Sequence, residues 1–148
     1  MPTAAKLVGA VLFGLLGAGL ALYLPAILPE SMPYGALLPV SAAVAALCGW
    51  MIAGAAAGRG RSYAEGAATG ARTAVTAAFA VLFVFSVEQM LALAFRRLYD
   101  GPVEAVIGIF EQMVKLAPLL IDAGFIALLV IGGMVAGALT EGAGRRWR

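Results

Sequence analysis

Four stretches of the chain run apolar for the width of a bilayer. Leu7 to Leu28 and Leu37 to Gly58 carry no charge, Thr73 to Phe95 carries only Glu88, and Leu119 to Thr140 carries only Asp122. About 20 residues at a rise of about 1.5 Å each cross the hydrocarbon core as a helix. None of the four alternates apolar with polar, as a barrel strand would. The pattern predicts helices over 5–28, 37–58, 73–95 and 119–140. Lys6 before the first run also suits a secretory signal. However, the run is long for the apolar part of a signal and has no clean small-residue cleavage site, so it reads as a retained helix.

A fifth element has a different pattern. In DGPVEAVIGIFEQMVKLAP the apolar residues fall at 103, 106, 107, 110, 113, 114 and 117, in steps of three and four. These draw one helical stripe, with Glu104, Gly108, Glu111 and Lys115 opposite it. Pro102 suits the first helical position, and Glu104 suits the positive end of the helix dipole. The spacing predicts an amphipathic helix over 102–117, lying in the membrane interface or packed over the helix ends. It serves either as a tether between two spans or as a docking surface or lid. The fold class is therefore an all-α membrane protein: a four-transmembrane-helix bundle with an amphipathic interfacial helix between helices 3 and 4, forming a single domain over 1–148.

Composition fits this reading. The chain has 148 residues, of which 63% are apolar and 12% charged. That is about half the charge usual for a soluble domain. The net charge is +2, but the cations sit at the ends of the runs, the signature of membrane topology rather than of a nucleic-acid surface. Lys6, Arg59, Arg61, Arg72, Arg145, Arg146 and Arg148 fall on one side; Arg96, Arg97 and Lys115 fall on the other. Seven against three predicts both termini in the cytoplasm.

Little of the sequence points to chemistry. There is no His and one Cys, Cys48. Disulfide, zinc and haem spacings are therefore absent, and no phosphate loop or nucleophile–base set appears. No cofactor, no metal and no enzymatic activity are expected. Cys48, mid-run with no cation near it, reads as a small buried hydrophobe. Trp50 reads as a packing residue, while Tyr23, Tyr34 and Trp147 suit interfacial anchoring. Glycine pairs four apart, Gly54/Gly58, Gly66/Gly70 and Gly133/Gly137, let helix backbones approach in lipid. Internal packing is the expected use of the first and third pairs. Gly66/Gly70 lies in a polar connection and reads as flexible.

The candidate functional residues cluster around FSVEQMLALAFRRLYDGPVEA: Glu88, Gln89, Arg96, Arg97, Asp100 and Glu104. With the run centred near Val84, Glu88 lies about 6 Å from the middle. An ionised acid at the centre costs roughly 2.5–3.5 kcal/mol on an insertion scale. Either the span ends near Val87 and Glu88 is interfacial, or it continues and Glu88 faces the bundle as a proton or cation site. Asp122, one turn after Pro118, reads as a structural acid at a helix N-terminus.

MPTAAKL at the start, LCGW, EQM followed by RRLYDGPVEA, and GRRWR at the close resemble the TrgA family of small bacterial membrane proteins associated with tellurite resistance. The resemblance runs over essentially the whole chain and is most specific in RRLYDGPVEA. It implies a bacterial inner-membrane protein and names no catalytic residue. On this reading the chain is a non-enzymatic accessory or scaffold component contributing to tellurite resistance. Its environment is the lipid bilayer, and its partners are another membrane protein or a second copy, not nucleic acid. The alternative is a small proton-coupled or cation-conducting transporter using Glu88.

Overall fold

The computed structural model describes residues 4–23, 37–58, 62–95 and 102–147. Among them are helices and no strand: α1 (Ala4–Tyr23), α2 (Leu37–Cys48), a π turn (Gly49–Ala53), α3 (Gly54–Ala56), α4 (Tyr63–Phe95), α5 (Pro102–Leu116), a 3₁₀ segment (Ala117–Ile121) and α6 (Ala123–Arg146). α2, the π turn and α3 make one continuous span. With α1, α4 and α6 this gives four helices long and apolar enough to cross a membrane. The protein is an all-α, multi-pass membrane protein built on a four-helix bundle.

Lipid is as apolar as leucine, so close packing, rather than hydrophobic burial, holds such helices together. Phe13 is fully buried and sits at the centre of a cluster with Leu20, Ala53, Ala74, Phe125, Leu129 and Ala136. Around it, glycines bring backbones together. A Cβ on Gly9 would stand 2.9 Å from the Gly49 carbonyl oxygen, and one on Gly54 would stand 2.5 Å from the Cα of Lys6. α1 therefore lies directly against the π turn and α3. The buried hydroxyls of Ser41, Thr73, Ser86 and Thr140 each donate to the carbonyl four residues back, at 2.6–2.8 Å. This satisfies them within their own helices, as a water-free interior requires.

The largest departure from the sequence pattern is in α4. The apolar run begins at Thr73, but the helix begins at Tyr63. Ser62 and Glu65 close a reciprocal cap: the Glu65 N–H donates to Ser62 Oγ (3.2 Å), and the Ser62 N–H donates to Glu65 Oε2 (2.7 Å). Gly66 and Gly70, expected in a flexible connection, lie instead on a helix pressed against α6. A Cβ on Gly70 would fall 2.6 Å from the Cα of Gly137, and one on Gly133 would fall 2.6 Å from the Ala74 Cβ. Arg72, expected in the connection, is an exposed residue of this helix.

These contacts set the levels of the helices. Gly66 meets Gly137 and Glu141, and Ala74 meets Gly133, so α4 and α6 run antiparallel. Continued at the same step, the start of α6 falls opposite the region of Phe83. Tyr23, the last residue of α1, hydrogen-bonds Asp122 just before α6, so α1 ends at that level too. The rest of α4 runs on past that level to Phe95, with Ser86 still fully buried. α5 packs on α4 and follows this overhang.

Asp122 is the N-cap of α6. Its Oδ2 accepts from the Phe125 N–H (2.9 Å) and from the Tyr23 hydroxyl (3.2 Å), so one carboxylate both starts α6 and ties it to α1. The helix expected over 119–140 thus begins at Ala123, with 3₁₀ turns before it, and continues to Arg146. Asp122→Ala is expected to lower stability by about 1 kcal/mol through loss of the cap, read as a lower thermal midpoint in detergent. Tyr23→Phe is expected to produce a smaller drop.

Gly58 closes the α3 end with φ +76°, and a Cβ there would stand 2.8 Å from the Gly144 carbonyl oxygen. Only glycine adopts that φ without strain. Gly58→Ala is expected to cost about 1–2 kcal/mol or more, because the clash adds to the backbone penalty. The thermal midpoint measures this as well.

Candidate functional site

The described candidates, Glu88, Gln89 and Glu104, fall on the second half of α4 and the first turn of α5. Glu88 is exposed on α4. It lies about five residues, or about 7 Å, past the level at which α1 and α6 meet, rather than near the middle of a span. The shift follows from the glycine register, which draws the start of α4 into the bundle and carries Glu88 past the level of the α6 start. Gln89, next to it, is half-buried, and Glu104 is exposed in the first turn of α5. Arg96, Arg97 and Asp100 lie outside the described residues, as do Tyr34 and the stretch 24–28 expected to extend the first helix. Cys48 and Trp50 are half-buried and Trp147 is exposed.

α5 turns in an informative direction. Gly108 is buried, and Ile109, Gln112 and Met113 are half-buried. These residues mark the face toward α4. Val103, Val106, Ile107, Phe110 and Val114 are exposed on the far face, flanked by the exposed Glu104, Glu111 and Lys115. The apolar stripe is therefore directed away from the bundle. That orientation fits a helix lying in the membrane interface, not a lid closing over the helix ends.

Chemistry concentrates at the opposite end of the bundle, on a residue the sequence reading passed over. Glu141 is 2% exposed, deeper than any other charged side chain described. α6 carries it inward on the same face as Gly133, Gly137 and Gly144, where the glycines leave room for a longer side chain. Its Oε2 accepts from the Gly58 N–H at 3.2 Å. Arg145, one helical turn on, places Nε 3.6 Å from Oε1. The same guanidinium lies over the Tyr63 ring, 4.5 Å from its centroid, in cation–π geometry. Tyr63 opens α4, Gly58 closes the α2–α3 span, and Glu141 and Arg145 belong to α6. One carboxylate thus gathers three helices at this end.

The gathering leaves one oxygen unsatisfied. Glu141 Oε1 accepts no hydrogen bond, alone among the buried side-chain polar atoms of the described residues. A cavity of about 10 Å³ lies beside the Glu141 residue, lined also by Ala53, Ala56, Ala57, Gly66, Thr69 and Gly137. No group of acids, cysteines or histidines able to hold a metal occurs among the described residues.

Two signals in the sequence pointed here. SYAE is a capping box that starts α4 ten residues before its apolar run, and TEGAGRR places an acid four residues before an arginine. Both fell outside the apolar windows that defined the spans. No family model, curated protein or solved structure matches the chain.

Proposed function

We propose that the protein is a non-enzymatic accessory or scaffold component of a bacterial inner-membrane assembly, with both termini in the cytoplasm and a contribution to tellurite resistance. One observation carries the scaffold reading. α5 packs on α4 rather than on the other spans and turns an apolar stripe of Val103, Val106, Ile107, Phe110 and Val114 outward. The bundle does not need that surface for its own packing, so its use lies in contact with lipid and a membrane partner. The tellurite association rests on the resemblance in RRLYDGPVEA and the terminal motifs.

Deleting the gene and restoring it tests the trait; unchanged growth across graded tellurite removes it. Cysteine labelling from each side of the membrane tests the orientation. Photo-crosslinkers at Val106 and Phe110 test the scaffold role, which predicts a discrete protein adduct in native membranes. For the interfacial placement, Phe110→Cys and Val114→Cys are expected to resist a water-soluble maleimide while Lys115→Cys reacts, with rates differing by about tenfold or more, because one face lies in hydrocarbon and the other in the headgroups.

Transport through Glu88 has less support, because that side chain is exposed outside the bundle interior. Glu88→Gln is the direct check. Loss of resistance at matched membrane levels would restore a role for the charge.

A further inference from the structure

We infer that the outer face of α4 around Arg72 is a docking surface for a transmembrane helix of another protein, one that carries a carboxylate near its middle. The inference rests on the scaffold reading above and names the chemistry of a partner, on a face separate from α5.

Depth comes first. Gly133 of α6 lies against Ala71 and Ala74, so Arg72 stands at its level. Gly132 in turn meets the Leu16 side chain, well inside α1. Arg72 is about nine residues past Tyr63, or about 13 Å in from the end where Glu141 and Arg145 gather. Asp122, at the opposite end of α6, is about eleven residues from Gly133, or about 16 Å. The arginine thus stands near the middle of the bundle's height, and it is exposed. A guanidinium among acyl chains at that depth is costly, and arginines within membranes are found paired or in water-filled cavities. Its three-methylene stem covers only part of the distance to the headgroups.

The face around Arg72 differs from one made for lipid. On α1 the outward side chains across the same heights include Leu7, Val11, Leu15 and Leu22, all bulky and apolar. On α4 the residues exposed at a step of four are Ala64, Ala68, Arg72 and Thr76. The two alanines let a second backbone come close. The Thr76 hydroxyl donates to the Arg72 carbonyl at 2.9 Å, which satisfies it on its own helix. A small, polar face with one cation at its centre complements a helix that brings one acid.

A second copy does not supply that acid. Copies related by an axis along the membrane normal keep their levels, so Arg72 would face its own equivalent. The described acids of the spans lie elsewhere. Glu65 is about 10 Å nearer the Tyr63 end, Glu141 is about 12 Å toward the same end, and Glu88 and Asp122 lie toward the opposite one.

The test uses the full chain in its native membrane. A photo-crosslinking residue at Ala68 or Thr76 is expected to give one discrete protein adduct, about tenfold weaker when combined with Arg72→Gln and retained with Arg72→Lys. The captured protein is expected to carry an Asp or Glu within a membrane span. Adducts with lipid only, an adduct of twice the chain's mass, a partner without a membrane acid, or an equal yield in Arg72→Gln each overturn the inference. Arg72→Gln is expected to keep the wild-type thermal midpoint in detergent; a lower one means that the arginine serves the chain's own fold and also overturns it. A designed helix gives a second reading. In phosphatidylcholine vesicles, a leucine–alanine transmembrane peptide with one central glutamate is expected to associate with the labelled protein about tenfold more strongly than its glutamine counterpart, measured by energy transfer, and to lose that advantage against Arg72→Gln. Equal association of the two peptides overturns the inference. Adducts from Val106 and Phe110 but none from Ala68 or Thr76 would leave the scaffold reading standing and remove this face; no adduct from any of the four removes both.

Discussion

Gly70→Ala and Gly137→Ala each lower the stability of the purified protein by about 1–3 kcal/mol, the range for overpacking a tight contact. The result is expected as a clear drop in thermal midpoint and a loss of monodisperse protein in mild detergent. The cause is local. The Cβ added at Gly70 meets the Gly137 backbone at 2.6 Å, and the Cβ added at Gly137 meets the Gly70 Cα at 2.5 Å. Both obstacles are main chain, which cannot rotate aside, so the helices must separate. In lipid that separation forfeits dispersion contacts that no hydrophobic effect replaces. The two changes press on one contact, so the double variant is expected to cost less than the sum. Gly19→Ala is the control. No atom lies within 4 Å of its new Cβ, and removing a helical glycine stabilises by about 0.8–1 kcal/mol. A Gly137→Ala variant as stable as wild type would mean that α4 and α6 do not meet through these glycines.

The second large effect concerns the Glu141–Arg145 pair, one to two turns further along α6. Arg145→Gln leaves the buried Glu141 without the cation beside Oε1. Breaking a fully buried pair costs about 3–5 kcal/mol, but Arg145 is 39% exposed, and partial solvation reduces its share. A loss of roughly 1–3 kcal/mol follows, read from thermal or denaturant unfolding in detergent. Glu141→Gln removes the charge and keeps the shape. The Gly58 N–H retains an acceptor, so the loss is expected to be smaller. The double variant tests the coupling: if Arg145 acts through Glu141, adding Arg145→Gln to Glu141→Gln costs little more than Glu141→Gln alone. Additive losses would show that Arg145 stabilises through Tyr63 and lipid headgroups instead.

Hydropathy made the number of spans legible because each run is long and carries at most one charge, and no soluble-domain surface was available to compete. It misplaced the start of α4, the third span, by ten residues. Window hydropathy weighs Gly66, Gly70 and Arg72 as polar or neutral, whereas in lipid a glycine face is an adhesive surface. The N-cap role of Asp122 was readable because it depends on neighbours within one turn. The burial of Glu141 was not, because it depends on Gly58 and Tyr63, distant in sequence and brought together only by packing. Glu88 drew attention as an isolated acid in an apolar run. Its level relative to the other helices follows from the register of α4 on α6, which no single-helix pattern encodes.

The unequal helix lengths have a consequence for the surrounding lipid. α1 spans 20 residues, about 30 Å, whereas α4 spans 33, about 50 Å. One side of the molecule matches an average hydrocarbon thickness and the other exceeds it. Lipids around α4 must stretch, or the helix must lean, and either response costs fractions of a kcal/mol per ångström. In a thick membrane the overhang is wetted by acyl chains and Glu88 is drawn toward them; in a thin one it stands among the headgroups. The setting of that carboxylate is thus decided by the host membrane as much as by the chain, and the protein is expected to partition between regions of a membrane that differ in thickness.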